Sequence, residues 1–263
     1  MRLYVELAKK AAQRQLAYRQ ANLAGLATNL FFGALRAYVL IALYGARPEI
    51  AGYTLAAAIT YTGLTQATLR VVQIFGWIEI IKTVRTGDIV SDLAKPFDYY
   101  LFWLAQDMGT NVTHLLVRGV PIMLAYALVT PLVWPADWNT VLAAGVSLGL
   151  AMLISFAWRF CLNIISLWTA DAIGVMRLGA TVALFFSGFL VPVRFFPAWL
   201  QTLAYWTPFP YFIEVPVQIW LGVMNGPGVL SVLMQQVGWA IALMLVGRLM
   251  LAAGTRKLVI QGG

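Results

Sequence analysis

Long stretches of about twenty mainly apolar residues recur along this chain, and they constrain its fold more than any other feature. A helix needs roughly 20 residues to cross the hydrocarbon of a bilayer. Apolar residues make up 61% of the 263 positions and charged residues only 11%, with a mean hydropathy of +0.80. The apolar windows are too long for barrel strands and show no strand alternation. The sequence therefore predicts an all-α membrane protein.

Six transmembrane helices fit into the chain with short connections. No soluble domain interrupts them, so residues 1–263 are predicted to form a single transmembrane domain. The predicted spans are Ala21–Tyr44, Tyr53–Ile78, Asn111–Val133, Val141–Ile164, Ile173–Val191 and Val229–Ala252.

Basic residues are distributed unequally between the two sides of these spans. The odd-numbered connections contain only Arg47 and Arg194. The other side carries Arg2, Lys9, Lys10, Arg14, Arg19, Lys82, Arg85, Lys95, Arg159, Arg177, Arg256 and Lys257. Because Lys and Arg accumulate on the cytoplasmic side, both termini are predicted to be cytoplasmic. The formal charge of +8 is attributed to these basic cytoplasmic segments, and nucleic-acid binding is not needed to explain it.

The first twenty residues show the pattern of a helix that lies on the membrane surface. Apolar residues share one arc, at 100° per residue, and polar residues occupy the opposite arc. The apolar arc contains Leu3, Tyr4, Leu7, Ala8, Ala11 and Tyr18. A basic tail held by anionic lipid is the alternative. The segment lacks an uninterrupted apolar core and a cleavage site, so it is not predicted to be a signal peptide.

The most charged interior stretch is the loop 79–100, between predicted spans two and three. Gly87 should end the preceding helix, and Asp88 is a suitable N-cap for a short helix. Lys95 suits the end of that helix and Pro96 prevents its continuation. Its apolar residues are Val84, Ile89, Val90 and Leu93. A short helix outside the membrane suits a groove on a partner protein, and a solvated connector is the alternative.

Two sets of polar residues lie at helical spacing within or beside the spans. The first is Thr62, Gln66, Arg70 and Gln73, and the second is Asp107, Asn111, His114 and Arg118. The first set predicts a polar face that lines a substrate path or a subunit seam, or that forms hydrogen bonds between neighbouring helices. The second predicts an ion-paired face near the cytoplasmic end of span three, with a proton relay as the alternative. Arg36 is a further charge in the middle of span one.

The segment from Phe185 to Gly222 is unusually rich in proline, glycine and aromatic residues. Proline stops helices, and amphipathic rings settle at the boundary between lipid and water. We therefore predict a re-entrant or interfacial cap over residues 187–222, on the extracellular side, between spans five and six.

Motifs for catalysis are missing from the sequence. It contains no G-x-x-x-x-G-K-[ST], H-E-x-x-H or G-x-S-x-G motif, and Cys161 is its single cysteine. A protease pair of Ser187 and His114 would have to act across most of the roughly 30 Å bilayer. The chain is therefore predicted not to be an enzyme and to hold no cofactor or metal.

Taken in order, these features resemble the permeases of the ABC type-2 exporter family. The resemblance covers essentially the whole chain. It rests on Ser187, Gly188, Pro192, Phe196, Pro197, Trp199, Pro208, Phe209, Pro216 and Trp220–Gly222, and on the loop with Gly87, Asp88, Leu93, Lys95 and Pro96.

The resemblance implies a permease subunit in the cell inner (plasma) membrane that pairs with a second permease, identical or sister. Two separate ATP-binding cassette subunits, which hold ATP and Mg, would power export of a hydrophobic or amphipathic drug, lipid or glycolipid. The implied coupling residues are Val84, Arg85, Asp88, Ile89, Leu93 and Lys95. The implied extracellular gate is Ser187, Gly188, Pro192, Phe196, Pro197, Trp199, Pro208 and Phe209.

An ion-coupled secondary transporter that uses Asp107, His114 and Arg118 is the alternative function. Many such folds contain inverted repeats, and we find none in this sequence.

Overall fold

The computed structural model describes residues 1–73, 77–169 and 172–256, and the fold is built almost entirely from helices. Its first half contains α1 (Arg2–Ala17), α2 (Arg19–Tyr44), α3 (Leu55–Thr68), α4 (Glu79–Thr86), α5 (Asp88–Leu93), α6 (Tyr99–His114) and α7 (Val120–Val129). Its second half contains α8 (Trp138–Ile164), α9 (Ala172–Phe186), α10 (Ala198–Tyr205), α11 (Glu214–Trp220) and α12 (Pro227–Thr255). A short antiparallel ribbon of β1 (Glu49–Ile50) and β2 (Tyr53–Thr54) joins α2 to α3. Lys257, and the part of predicted span two at residues 74–76, lie outside the described residues.

Four helical segments of the described chain are long and apolar enough to cross a bilayer. They are Arg19–Tyr44, Tyr99–Val129, Trp138–Leu167 and Pro227–Thr255, and they correspond to predicted spans one, three, four and six. Predicted spans two and five coincide with the shorter helices α3 and α9, of 14 and 15 residues. At 1.5 Å per residue these helices are only about 21–23 Å long, against roughly 30 Å of hydrocarbon. The count of six spanning helices is therefore not confirmed.

The segment Tyr99–Val129 begins well before the predicted start at Asn111. Asp98 caps this helix, because its Oδ1 accepts the Leu101 N–H at 2.8 Å. A wide π-helical turn, Leu115–Gly119, separates α6 from α7. Pro121 follows in the first turn of α7. Because it has no backbone N–H, it cannot donate the hydrogen bond to the preceding turn that a regular helix contains. The polar stripe that was expected near a helix end thus lies in the middle of a long helix.

Helix α8 is the central element of the fold, with α6, α9, α11 and α12 packed against it. In the first half of this helix, the Ser147 carbonyl accepts a hydrogen bond of 3.1 Å from Gln236 of α12. Near its end, Asn163 contacts the segment that leads into α4. These two positions are sixteen residues apart, which is about 24 Å along a helix. We call the end with Ser147 the cap end and the end with Asn163 the loop end.

Helix α1 packs along α6 at the loop end. Ala11 is buried in this contact, and a Cβ at Gly109 would overlap the backbone of Ala8. The Tyr4 hydroxyl accepts the Asp98 N–H at 3.2 Å. The helix predicted at the N-terminus is therefore present, but much of its apolar arc contacts protein.

Candidate functional site

The loop at residues 79–100 folds into two short helices, α4 and α5, with Gly87 between them. Gly87 has a φ of +81°, a left-handed conformation that glycine adopts without steric cost. The predicted N-cap is wrong by one residue, since Gly87 occupies that position and Asp88 is the first residue of α5. The Asp88 Oδ2 instead accepts the Thr86 hydroxyl at 2.6 Å. This bond stiffens the turn between the two helices.

One side of this helical pair is held against the body of the protein and the other side is exposed. Ile80 and Ile89 are buried in a cluster with Tyr99, Tyr100, Phe156, Phe160 and Ile164. Of the predicted coupling residues, Ile89 is buried, Val84 and Leu93 are half-buried, and Arg85, Asp88 and Lys95 are exposed. Val90, which is 42% exposed, is an apolar residue on the outer side. Ile89 thus anchors the loop, and the outer side carries the contacts available to a partner.

Asn163 of α8 fixes the start of α4 to the central helix. Its Nδ2 donates to the Trp77 carbonyl at 3.0 Å, and its Oδ1 accepts the Ile81 N–H at 3.3 Å. Asn163 was not predicted as a contact residue, because an asparagine near a helix end carries no sequence signal that identifies its distant partners.

A buried ion pair joins α6 to α8 close to this contact. Arg159 Nη1 and Nη2 each donate to a carboxylate oxygen of Asp107 at 2.9 Å. Asn111 Nδ2 donates to Asp107 Oδ2 at 2.8 Å, and Gln73 Nε2 donates to Asp107 Oδ1 at 3.1 Å and to Asn111 Oδ1. Arg159, which was counted from the sequence among the basic residues of the cytoplasmic side, is one of the largest fully buried side chains described.

Asp98 connects three helices at the start of α6. Its Oδ2 forms an ion pair of 2.8 Å with Arg248 Nη1 of α12, and its N–H donates to Tyr4 of α1. The Arg248 guanidinium also lies 5.2 Å from the centre of the Tyr100 ring. The loop therefore ends on a residue that is bonded to both α1 and α12.

The polar set predicted on span two does not form one helical face. Thr62 and Gln66 are buried on α3, whereas Arg70 and Gln73 lie in the turn that follows Thr68. Thr62 bonds the Ala58 carbonyl of its own helix, and Gln73 bonds Asp107 and Asn111. In this conformation Gln73 holds neighbouring elements together.

The second polar set is also divided. Asp107 and Asn111 belong to the Arg159 network, whereas Arg118 donates to Asn22 Oδ1 and to the Ala21 carbonyl of α2. His114 Nδ1 is buried and has no hydrogen-bond partner in the described part of the chain. Asp107 and His114 are seven residues apart on one helix, about 10 Å along its axis. These groups do not form the hydrogen-bonded chain that a proton relay would need.

The predicted gate residues divide into a buried turn and an exposed rim. Ser187, Pro192, Pro208 and Phe209 are buried, Phe196 is half-buried, and Pro197 and Trp199 are exposed. Gly188 has a φ of +79°, and a Cβ there would overlap Glu214 and Tyr61. Several cap rings expected at the lipid boundary are in fact core residues, among them Phe209, Tyr211 and Phe212.

A buried carboxylate, Glu214, holds the cap to α3. Its N–H donates to the Ser187 carbonyl at 3.0 Å. Its Oε1 accepts Gln218 Nε2 at 2.5 Å, and its Oε2 contacts the Tyr61 hydroxyl and accepts the Val193 N–H at 3.2 Å. Within the part of the chain that the structure describes, Glu214 has no ion pair. Glu214 was not predicted from the sequence, although it is the one acidic residue between Phe185 and Gly222.

The Tyr61 hydroxyl faces two acceptors, the Glu214 carboxyl and the Gly188 carbonyl. The Tyr61 hydroxyl lies 2.5 Å from the Gly188 carbonyl oxygen and also contacts Glu214 Oε2, yet it has one proton to donate. A protonated Glu214 would donate to Tyr61, leaving the Tyr61 proton for Gly188. Burial raises the pKa of the Glu214 carboxyl to about 7. This effect outweighs the hydrogen bonds from Tyr61, Val193 and Gln218, which favour the charged form and lower the pKa.

Arg36 of α2 binds the first residues of the cap. Its Nη2 donates to the Phe189 carbonyl and, at 3.2 Å, to the Leu190 carbonyl. Its Nη1 donates to Thr65 Oγ1 at 3.3 Å, and its guanidinium lies 4.8 Å from the centre of the Phe189 ring. This charge in the middle of a span thus has a structural partner in the cap.

The comparisons with known proteins agree on one class of membrane protein. A family model described as ABC-2 family transporter protein matches residues 30–262. A protein named "Probable doxorubicin resistance ABC transporter permease protein DrrC", from Mycobacterium tuberculosis strain H37Rv, is 28% identical over 237 residues. The match covers 87% of this chain and 76% of that relative, and the protein of the same name from strain CDC 1551 matches equally.

Proposed function

Because this chain belongs to the ABC-2 family of transporter proteins, we propose that it is the permease of an exporter powered by two separate ATP-binding cassette subunits. It pairs with a second permease, identical or sister, and moves a hydrophobic or amphipathic substrate. The name of its DrrC relative supports a drug as that substrate, within a class that also includes lipids and glycolipids. ATP and Mg act in the cassettes.

The proposed orientation places the loop end and both termini in the cytoplasm of a cell with this protein in its inner membrane. The chain crosses the membrane six times, and the short helices α3 and α9 are completed by the turn after Thr68 and by the cap. The basic residues of α1 and of the loop support this sidedness. On this orientation α1 lies at the inner interface and the cap lies on the outer side.

The observation that carries the proposal is a continuous connection from the loop to the cap through α8. The loop is bonded to Asn163 at one end of this helix. In the first half of α8, Gln236 donates 3.1 Å hydrogen bonds to the Ser147 carbonyl of α8 and to the Tyr211 carbonyl of the cap. A push on α4 and α5 would therefore displace α8 as a rigid element and reach the cap.

In this mechanism the chain's own residues bind the cassette, transmit its movement and close the exit. Nucleotide binding by the cassettes would favour one of two packed states of the permease pair. The buried turn at Ser187 and Gly188, with Glu214, Tyr61 and Arg36, would hold the cap closed in the state described here.

Substitution of Val90 tests the docking surface, because this exposed side chain makes little contribution to the core. The tagged chain is purified in mild detergent from its native host, and co-purified proteins with a G-x-x-x-x-G-K-[ST] motif are identified by mass spectrometry. We expect Val90→Asp to lose the cassette protein and the associated ATPase activity.

The matched control is Ser91→Asp, which adds the same charge to the adjacent residue of α5. It should retain the cassette, and both variants should elute as folded protein in size-exclusion chromatography. Full assembly of the Val90 variant, or transport in the absence of any cassette protein, would contradict the proposal.

A further inference from the structure

The Arg70 and Arg118 guanidinium groups and the His114 imidazole converge where the turn after α3 meets the π-helical turn of residues 115–119. His114 lies within electrostatic reach of both the Arg70 and the Arg118 guanidinium groups. The elements approach closely here, since a Cβ at Gly119 would lie 3.2 Å from the Ala67 carbonyl oxygen. A Cβ at Gly25 of α2 would overlap the Arg118 guanidinium. The three groups therefore belong to one packed junction of α2, α3 and α6.

No carboxylate of the described chain neutralises this cluster. Asp107 is occupied by Arg159, Asn111 and Gln73. Glu6, Glu79, Asp92 and Asp98 form ion pairs with Lys9, Lys82, Lys95 and Arg248. Glu49, Asp137 and Glu214 are at the cap end, and Asp88 is exposed on the loop. The positive charge is thus uncompensated among residues 1–73, 77–169 and 172–256.

Two nitrogen atoms within the cluster also lack hydrogen-bond partners among the residues that the structure describes. His114 is 2% exposed, and its Nδ1 has no hydrogen-bond partner. Arg70 Nε is likewise buried without one. Arg118 donates through Nε and Nη2, to Asn22 Oδ1 and the Ala21 carbonyl, which are both uncharged. Unpaired buried groups of this kind are costly and call for a ligand with acceptor oxygens.

An apolar groove of about 430 Å³ begins directly beside the cluster. Ala67 and Thr68, just before Arg70, line it together with Leu115, which follows His114. It continues between α7 and α8 to the cap residues Pro216 and Trp220. A charged head and an apolar tail could therefore be bound side by side by adjacent parts of the chain.

The depth of the cluster fits the head of a membrane amphipath. Arg118 is bonded to Ala21 and Asn22, in the first turn of the spanning helix α2. The start of a spanning helix lies near the boundary of the hydrocarbon, where lipid headgroups are found.

We propose that Arg70, His114 and Arg118 bind the anionic headgroup of an amphipathic molecule whose apolar tail lies along this groove. The headgroup carries phosphate or carboxylate oxygens, which guanidinium groups bind by charge-assisted hydrogen bonds. It comes from an anionic membrane lipid or from the exported molecule itself, and only the second source rests on the proposed function.

The test measures binding to the purified permease in phosphatidylcholine nanodiscs. One arm titrates phosphatidylglycerol and the other titrates decyl phosphate, with decyltrimethylammonium as a cationic reference of equal chain length. We expect both anions to compete for one site, which the cation does not enter. Arg70→Gln should weaken anion binding about tenfold, equivalent to about 1.4 kcal/mol. Arg70 forms none of the hydrogen bonds of the described chain, so this variant is expected to fold.

Arg19→Gln is the matched control, because Arg19 is an exposed arginine at the same end of α2. It should leave the affinities unchanged. Loss of phosphatidylglycerol binding alone would identify a lipid site, and loss of decyl phosphate binding alone would identify a substrate headgroup site. Equal binding by wild type and Arg70→Gln, or an equal effect of Arg19→Gln, would overturn the proposal. The nanodisc binding test needs no cassette protein. A negative result in it would therefore leave the outcome of the Val90→Asp test, and with it the proposed function, unaffected.

Discussion

Arg159 of α8 donates two parallel hydrogen bonds, each of 2.9 Å, to the carboxylate of Asp107 on α6, and neither side chain is more than 2% exposed. The pair lies one helical turn from Asn163, which holds the start of α4. The loop, α6 and α8 are therefore connected by buried polar groups that cannot separate individually without losing their partners. On the proposed mechanism, this rigidity would allow α8 to transmit movement.

Removing one partner of this ion pair should destabilise the protein more than removing both. Asp107→Leu or Arg159→Met alone leaves an uncompensated buried charge, which costs about 3–5 kcal/mol. The double variant should recover much of that loss, because apolar side chains of similar volume replace the pair. The measurement is the midpoint of thermal unfolding in detergent, read by size-exclusion chromatography after heating. Additive losses in the double variant would show that the two charges do not act as a pair.

The stability of the cap should fall as the pH rises through neutrality. Burial raises the pKa of Glu214 from its ordinary 4.5 to about 7, so between these values the folded state binds more protons than the unfolded state. The protonated Glu214 contributes its full stabilisation to the folded state below about pH 4.5. This contribution is lost as the pH rises through about 7, and the free energy of unfolding falls by at most about 3 kcal/mol.

Glu214→Gln isolates this effect, since the amide keeps the size of the side chain and does not titrate. Unfolding midpoints of wild type and variant should be compared between pH 5 and pH 8. The wild type should lose stability relative to the variant across this window. Parallel profiles would mean that Glu214 keeps one protonation state in both the folded and the unfolded protein.

Adding a methyl group at two glycines should have opposite effects on stability. Gly109→Ala places a Cβ against the Ala8 backbone, which cannot move without displacing α1, and we expect a loss of about 1–3 kcal/mol. Gly145→Ala on α8 meets open space and should stabilise the helix by up to about 1 kcal/mol. Thermal unfolding together with limited proteolysis of residues 1–18 distinguishes the two. If Gly109→Ala were as stable as Gly145→Ala, α1 would not pack on α6 as described.

The longest helices were predictable because the length of an apolar run is a property of the sequence alone. Predicted spans one, three, four and six overlap the four long segments, and α1 was expected from its amphipathic period. The break at Gly87 was also predictable, since its flexibility is local. The second and fifth spans are not confirmed, because their apolar residues form the short helices α3 and α9, each followed by a packed turn. Hydropathy does not distinguish a continuous helix from these interrupted ones.

The partners of the buried polar groups were not predictable. Arg159 finds Asp107 across 52 residues, and Glu214 contacts Tyr61 across 153. Arg159 looked like a loop residue, because charge counting assumes that an arginine near a helix end faces water. Glu214 gave one usable signal, its isolation as an acidic residue in an apolar cap.

The sequence by itself determined that this chain is a helical membrane protein with a charged loop at one end and an aromatic, proline-rich cap at the other. These properties depend on local chemistry, namely the cost of exposing apolar side chains and the backbone limits of proline and glycine. Only the tertiary structure decided that α8 bridges the loop and the cap and that Glu214 closes the cap on α3. It also decided that, among the described residues, Arg70, His114 and Arg118 form no ion pair with a carboxylate. Those outcomes depend on which distant groups meet when the helices pack, because a buried charge or donor is stabilised only by the partner that three-dimensional packing brings to it.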